Sequence, residues 1–479
     1  MRRLPRTASD LGSRQKVEFP PLTAPTSSRT PLLTVFFLSG ACALVYQVLW
    51  VRLLILQFGA TSLAVALVLA TFMAGLGLGS LIASRITHRL RSPIRAYAAL
   101  EAAIGAAALA MPWAIGGVGR LQAALLPADA SHAAGLLLEG PLCFGLLLVP
   151  TTCMGATLPI LSRWIARDET TRGRDLGTLY SINTLGAFLG TVFAGFVAIE
   201  VLGIAVTNAG AALANFAIAG LALWLARGQG EVPVSAPPST ASTPPGLAAV
   251  LLLGGAAGFL GLAHEVVWTR LVGLVLVTTT YAYSTILATV IGGIGVGSWL
   301  GARAADRADD PVRWFGFLQL GIGLGALGVF PLLLGVLHAA PWVLEADALP
   351  FARGQLLAVG ICVALIAVPA LLMGATFPAL ARAVTAGSDD VGRQVGRLYI
   401  WNTLAGVGGS LVAGFALLPI IGVLGSVQVL AGGNLLLGAW TARPRPGVEG
   451  GRGAWGALVV VAVLLAGGTA GRVTVEDLY

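Results

Sequence analysis

Four ionisable side chains interrupt otherwise apolar stretches of this chain: Arg52, Glu101, Glu265 and Arg270. Carrying such a group into hydrocarbon costs at least about 2.5–3.5 kcal/mol, so each should face protein, water or a ligand. Three arrangements are open. The four can face a central, partly hydrated cavity in which the carboxylates bind a cation or a proton. They can close as buried Arg–Glu pairs that fix helix packing. Arg52 and Arg270, close to the ends of their apolar runs, can instead snorkel to the headgroups.

The surroundings of these residues occur twice. Tyr46-Gln47-Val48-Leu49-Trp50-Val51-Arg52 returns as His264-Glu265-Val266-Val267-Trp268-Thr269-Arg270, and Gly75-Leu76-Gly77-Leu78-Gly79-Ser80 as Gly293-Ile294-Gly295-Val296-Gly297-Ser298. Met154-Gly155-Ala156-Thr157-Leu158-Pro159 returns as Met373-Gly374-Ala375-Thr376-Phe377-Pro378, and Leu179-Tyr180 with Asn183-Thr184 as Leu398-Tyr399 with Asn402-Thr403. A period this long marks two fused copies of a large unit rather than a solenoid. Aligning the copies sets Gln47 against Glu265 and Glu101 against Gln319. Each site is an acid in one half and its amide in the other. An amide keeps hydrogen-bonding reach but cannot titrate, so the repeat predicts a pseudo-symmetric site polarised by one carboxylate per half.

Residues are 57% hydrophobic and 10% charged, against about 25% charged in soluble domains. This is the composition of an integral membrane protein. Runs long enough to span lie at about 31–57, 60–84, 95–118, 134–162, 178–202 and 205–226. The second half has them at about 247–275, 278–302, 314–337, 355–381, 397–421 and 423–441, and a thirteenth covers about 454–470. Residues 1–30 form a basic tail with no cleavable signal pattern. Residues 227–246, rich in Pro, Ser and Thr, read as a flexible linker, and 442–479 as a short loop, an extra helix and the C-terminus. Basic residues fall almost entirely on the side of the N-terminal tail, including Arg85, Arg163, Arg303, Arg307 and Arg382; Arg120 and Arg353 lie opposite. This bias predicts a cytoplasmic N-terminus. It also explains the basic net charge without a nucleic-acid partner. Six spans return the chain to its starting side, so the halves are parallel repeats, as in the major facilitator plan. The fold expected is all-α, with two parallel six-helix repeats plus a thirteenth helix.

The repeated motifs read mainly as packing devices. Gly77 and Gly79, with Gly295 and Gly297, belong to small-residue runs that permit close helix contact; they follow no strand, which excludes a dinucleotide loop. Pro159 and Pro378 fall inside the fourth spans and each frees a backbone carbonyl, for which Thr157 and Thr376 are candidate partners. The result is a static kink or a hinge. Asn183 and Asn402 are expected to hydrogen-bond neighbouring helices or to contact a ligand. The loop after the second spans carries Arg85 and Arg303, with Asp306-Arg307 only in the second half. Cys42, Cys143, Cys153 and Cys362 lack metal-ligand spacing. No metal cluster, nucleophile–base pair or phosphate loop is visible, so neither cofactor nor catalytic residue is expected.

The run Gly173-x-x-x-Gly177-x-Leu179-Tyr180-x-x-Asn183-Thr184-x-Gly186, its copy at Gly392 to Phe415, and the paired Trp-x-Arg and Met-Gly-Ala-Thr motifs resemble the membrane region of fused facilitator-like/spermidine synthase proteins. The resemblance covers roughly residues 32–441. It implies a transport or channelling module associated with polyamine (spermidine/putrescine) metabolism, with Glu265, Glu101, Arg52, Arg270, Gln47 and Gln319 as candidate substrate or ion contacts. The alternative it implies is a non-transporting anchor or regulator of a soluble synthase domain. In that family such a domain usually follows the membrane region; here the sequence ends at Tyr479, where such a domain would begin. The expected partners are the lipid bilayer, a polyamine or other small charged substrate, and a soluble synthase domain.

Overall fold

The computed structural model describes residues 26–58, 61–127, 132–165, 172–227, 246–275, 280–339, 351–385 and 391–443. The basic tail to residue 25, most of the Pro-rich linker and the thirteenth apolar run lie outside the described residues. Within them, every long element is an α-helix. In hydrocarbon a helix satisfies its own backbone polar groups, which suits apolar runs of this length. The first half holds α1 (Thr26–Phe58), α2 (Thr61–Ile86), α3 (Pro93–Leu125), α4 (His132–Ile165), α5 (Arg172–Phe193) and α6 (Ile199–Ala226). The second holds α7 (Leu247–Val275), α8 (Thr280–Arg307), α9 (Pro311–Ala339), α10 (Phe351–Thr385), α11 (Val391–Val412) and α12 (Leu418–Thr441).

Packing repeats with the sequence. In the first half α1 lies on α5, α2 on α4, and α3 on α4 and α6; in the second, α7 lies on α11, α8 on α10, and α9 on α10 and α12. The halves meet chiefly through α2 with α11 and α5 with α8, a pair of contacts exchanged by the same pseudo-two-fold. The large buried aromatics sit within the halves: Tyr46 stacks on Trp50 at 5.4 Å, Trp50 meets Phe72 at 5.6 Å, and His264 meets Trp268 at 5.1 Å.

The repeat extends to irregular backbone. Segments Ala194–Ala198 and Ala413–Leu417 are π-helical bulges at the ends of α5 and α11. A few residues on, Gly203 (φ 76°, ψ 171°) and Gly422 (φ 70°, ψ −176°) break the helix. That conformation is essentially restricted to glycine, so these two residues end the fifth crossing and start the sixth. The freed carbonyls are covered: Thr207 donates to the Ala198 and Gly203 carbonyls at 2.9 and 2.7 Å, and Ser426 donates to the Gly422 carbonyl at 2.5 Å.

The glycine-rich and proline-bearing motifs turn out to be two parts of one device. A Cβ at Gly79 would run into the Thr152 backbone of α4, and one at Gly297 into Leu371 of α10; Gly155 and Gly374 are equally close to Leu76 and Ile294. Proline at 159 lacks the N–H that would bond the Gly155 carbonyl four residues back. The Ser80 hydroxyl of α2 donates to that carbonyl at 2.9 Å, and Ser298 donates to the Gly374 carbonyl, freed by Pro378, at 2.9 Å. Thr157 and Thr376, expected to serve these carbonyls, instead bond Met154 and Met373 at 2.7 Å. Their hydroxyls reach only three residues back on their own helix, whereas glycine contact brings the serine of the adjacent helix onto the open carbonyl.

Candidate functional site

Glu101 lies on α3 with its side chain fully enclosed. Ser39 of α1 donates to one carboxylate oxygen at 2.6 Å and the Asn215 amide of α6 to the other at 2.6 Å. Tyr46 of α1 donates to the Asn215 carbonyl oxygen at 2.6 Å. The four side chains tie three helices together inside the first half. Buried networks of this kind are strong only when every member is satisfied. The second half keeps only the asparagine, Asn434; Ala257, Gln319 and His264 stand at the positions of Ser39, Glu101 and Tyr46. Gln319 is buried with its Oε1 unbonded, and Asn434 bonds the Leu430 carbonyl of its own helix at 2.9 Å.

Glu265 has different surroundings. It lies on α7, is buried with 8% of its surface exposed, and its side chain has no hydrogen-bond partner or ion pair among the described residues. Tyr283 of α8 lies within electrostatic reach of it. Gln47 of α1 donates to the Tyr283 hydroxyl in a long hydrogen bond of 3.4 Å. Gln47, Tyr283 and Glu265 therefore form a polar cluster where α1 of one half meets α8 of the other, beside α7.

The structure thus brings Gln47 together with Glu265 but does not bring Glu101 or Gln319 to them. The expectation of one cavity-facing carboxylate per half is corrected on this point: α3 and α9 pack against α6 and α12, which turns their polar residues into the interior of each half. The expected Arg–Glu pairs are not formed among the described residues, since Arg270 is exposed and Arg52 half-buried, and neither bonds Glu101 or Glu265. Asn402 donates to the Gly254 carbonyl of α7 at 2.9 Å, and Asn183 lies against Gly40 of α1. A Cβ at Gly77 or Gly295, which lie between the glycines that face α4 and α10, would meet Thr403 at 3.3 Å or Thr184 at 3.7 Å across the two halves.

One buried acid escaped the sequence reading. Glu139 on α4 is buried, and Gln57 at the end of α1 donates to it at 2.7 Å. An acid inside the run 134–162 was the available signal; its partner lies 82 residues away. At the basic ends of α8 and α10, Asp306 and Arg382 pair at 3.6 Å with 83% and 39% of their side chains exposed. Exposed pairs contribute about 0–1 kcal/mol. Asp306→Ala is expected to leave the unfolding midpoint in detergent within that range, and a larger loss would show that this pair holds the helix ends together.

No protein-family profile matches the chain, and no curated protein does. Among solved structures, the crystal structure of a bacterial homologue of the human lysosomal transporter Spinster, in an inward-facing and unoccupied conformation, superposes with a TM-score of 0.50. It is 12% identical in sequence, and the match covers 92% of this chain and 96% of that one. The chain shares the overall all-α fold of that protein. At this identity the likeness concerns the fold alone, since one fold hosts many functions.

Proposed function

We propose that this protein carries a small cationic solute across a bacterial inner membrane by alternating access, with Glu265 as the cation-binding carboxylate. The observation that carries the reading is a buried carboxylate on α7 that has no hydrogen-bond partner or ion pair of its own among the described residues. An intramembrane acid in that position is a site for a cation or a proton. Tyr283 and Gln47 add hydrogen-bonding groups on the opposing helices, and the tyrosine ring can also receive an ammonium group. Putrescine and spermidine are the solutes that the resemblance of the motifs singles out. One carboxylate matches one ammonium group of such a solute, with the remainder lying along the cavity. The distribution of arginines supports a cytoplasmic N-terminus.

Uptake of labelled putrescine and spermidine into proteoliposomes tests this. Loss of a charge-assisted hydrogen bond costs about 1.5–3 kcal/mol, so Glu265→Gln should lower uptake by about 10- to 100-fold. Wild-type uptake no faster than in protein-free liposomes would leave the bundle as an anchor or regulator of a synthase. Equal uptake by wild type and variant would remove Glu265 from the site.

A further inference from the structure

We propose that Glu101 is a proton-binding site built into the first half, separate from Glu265, and that its proton is the one whose movement drives the solute. The second part rests on the transport reading above; the first does not.

The geometry suits a carboxyl group that changes its protonation. Ser39 approaches one oxygen at 2.6 Å and Asn215 the other at 2.6 Å. An O···O approach of that length is satisfied with the proton on either partner. With Glu101 ionised, the Ser39 hydroxyl donates to it. When a proton arrives from water, it bonds to the oxygen facing Ser39, and the carboxyl becomes the donor. The serine hydrogen then turns to the carbonyl one helical turn back, a bond that serines in helices commonly make. The carboxyl goes from charge −1 to neutral: one O–H bond forms on it as one O–H bond of a hydronium ion breaks, leaving water. The Asn215 bond persists throughout. No helix has to move for either state to be satisfied.

The surroundings contain no competing charge. Among the described residues, the titratable groups acting on Glu101 are Cys42 and Tyr46 on α1 and Tyr97 on α3; α6 contributes the neutral Asn215. Glu139 on the adjacent α4 is bonded to Gln57 at the other end of the bundle, and Arg95, on the first turn of α3, is exposed. A lone buried carboxylate without a cation is costly, which a proton relieves. The site also connects to the polar cluster between the halves. Asn215 is held by Tyr46, and the next residue along α1 is Gln47, which bonds Tyr283 beside Glu265. Protonation replaces charge-assisted hydrogen bonds by neutral ones of about half the strength, so it loosens the hold of α3 and α6 on the helix that carries Gln47 while the bonding pattern stays.

The chain supplies its own control for the test. Gln319 stands at the equivalent place in the second half and is buried there, so Glu101→Gln should fold. The infrared difference spectrum of the whole protein between high and low pH is expected to show the carbonyl stretch of a protonated carboxylic acid, shifted in heavy water and absent in Glu101→Gln. In proteoliposomes, the variant should lose about tenfold or more of the putrescine accumulation driven by a pH gradient while keeping putrescine exchange at equal pH. Glu265→Gln should lose both. A carbonyl band unchanged in Glu101→Gln would overturn the proton site. Accumulation by that variant equal to wild type, or loss of exchange along with accumulation, would overturn its coupling role. If no putrescine moves at all, the transport reading falls and the infrared result still decides the proton site.

Discussion

Gly79→Ala and Gly297→Ala are each expected to lower stability by about 3 kcal/mol, the upper end of what overpacking costs, while Gly77→Ala and Gly295→Ala stay within about 1 kcal/mol of wild type. All four glycines belong to the same repeated motif, and their composition does not separate them. Their surroundings do. A methyl group at Gly79 meets the Thr152 carbonyl and comes within 2.8 Å of the Ala156 nitrogen; at Gly297 it meets the Leu371 carbonyl, with the carbonyl carbon at 2.7 Å. These are backbone atoms, so the neighbouring helix must shift as a body, and the Ser80 and Ser298 bonds that depend on its closeness are strained with it. At Gly77 the nearest atom is a Thr403 methyl at 3.3 Å, and at Gly295 a Thr184 methyl at 3.7 Å. Side chains can yield there, and alanine's higher helix propensity, about 1 kcal/mol, offsets the crowding. Denaturant or thermal unfolding in detergent measures the difference. Equal losses at all four positions would mean that helix backbone flexibility, rather than contact between α2 and α4, governs the motif.

The division within that motif shows what a single sequence can and cannot express. The all-α architecture was legible because apolar runs long enough to span leave the backbone little choice but helix. The parallel repeat was legible because the two copies keep their motifs in order. Even the boundary between the fifth and sixth crossings was placed beside Gly203 and Gly422, where the helix breaks. Partnerships between helices were not legible. Glu101 meets Asn215, 114 residues away, and nothing local to either residue indicates that an α6 amide will reach an α3 carboxylate. The acid–amide exchange at 47/265 and 101/319 looked like one polarised cavity. It is two unrelated environments, because α3 turns into its own half while α7 faces the other. Glu139 had no counterpart to draw attention to it, since the second half carries Ala358 there. Local patterning reports period and burial, whereas the face on which a buried polar residue lies depends on how helices pack.

The same limit applies to the kinked helices, and there it can be measured. Ser80→Ala leaves the Gly155 carbonyl of α4 without its donor in an apolar setting, which should cost about 1–3 kcal/mol. Pro159→Ala restores the N–H that a regular helix would aim at that carbonyl, and in the double variant the two changes should compensate. The double variant is therefore expected to be more stable than the sum of the single variants predicts by about 1–2 kcal/mol, a coupling typical of directly interacting groups. Ser298→Ala with Pro378→Ala should behave alike, because the 2.9 Å bond from Ser298 to Gly374 repeats the first. Thr157→Ala is the control. Its hydroxyl bonds the Met154 carbonyl, which the helix can serve by itself, so its loss should couple weakly to Pro159. Additive losses for Ser80 and Pro159 would show that the open carbonyl finds another donor and that the kink stands without the neighbouring helix. Coupled losses would mean that each kink is held from outside, so that α2 with α4, and α8 with α10, move as rigid pairs during transport rather than bending at the prolines.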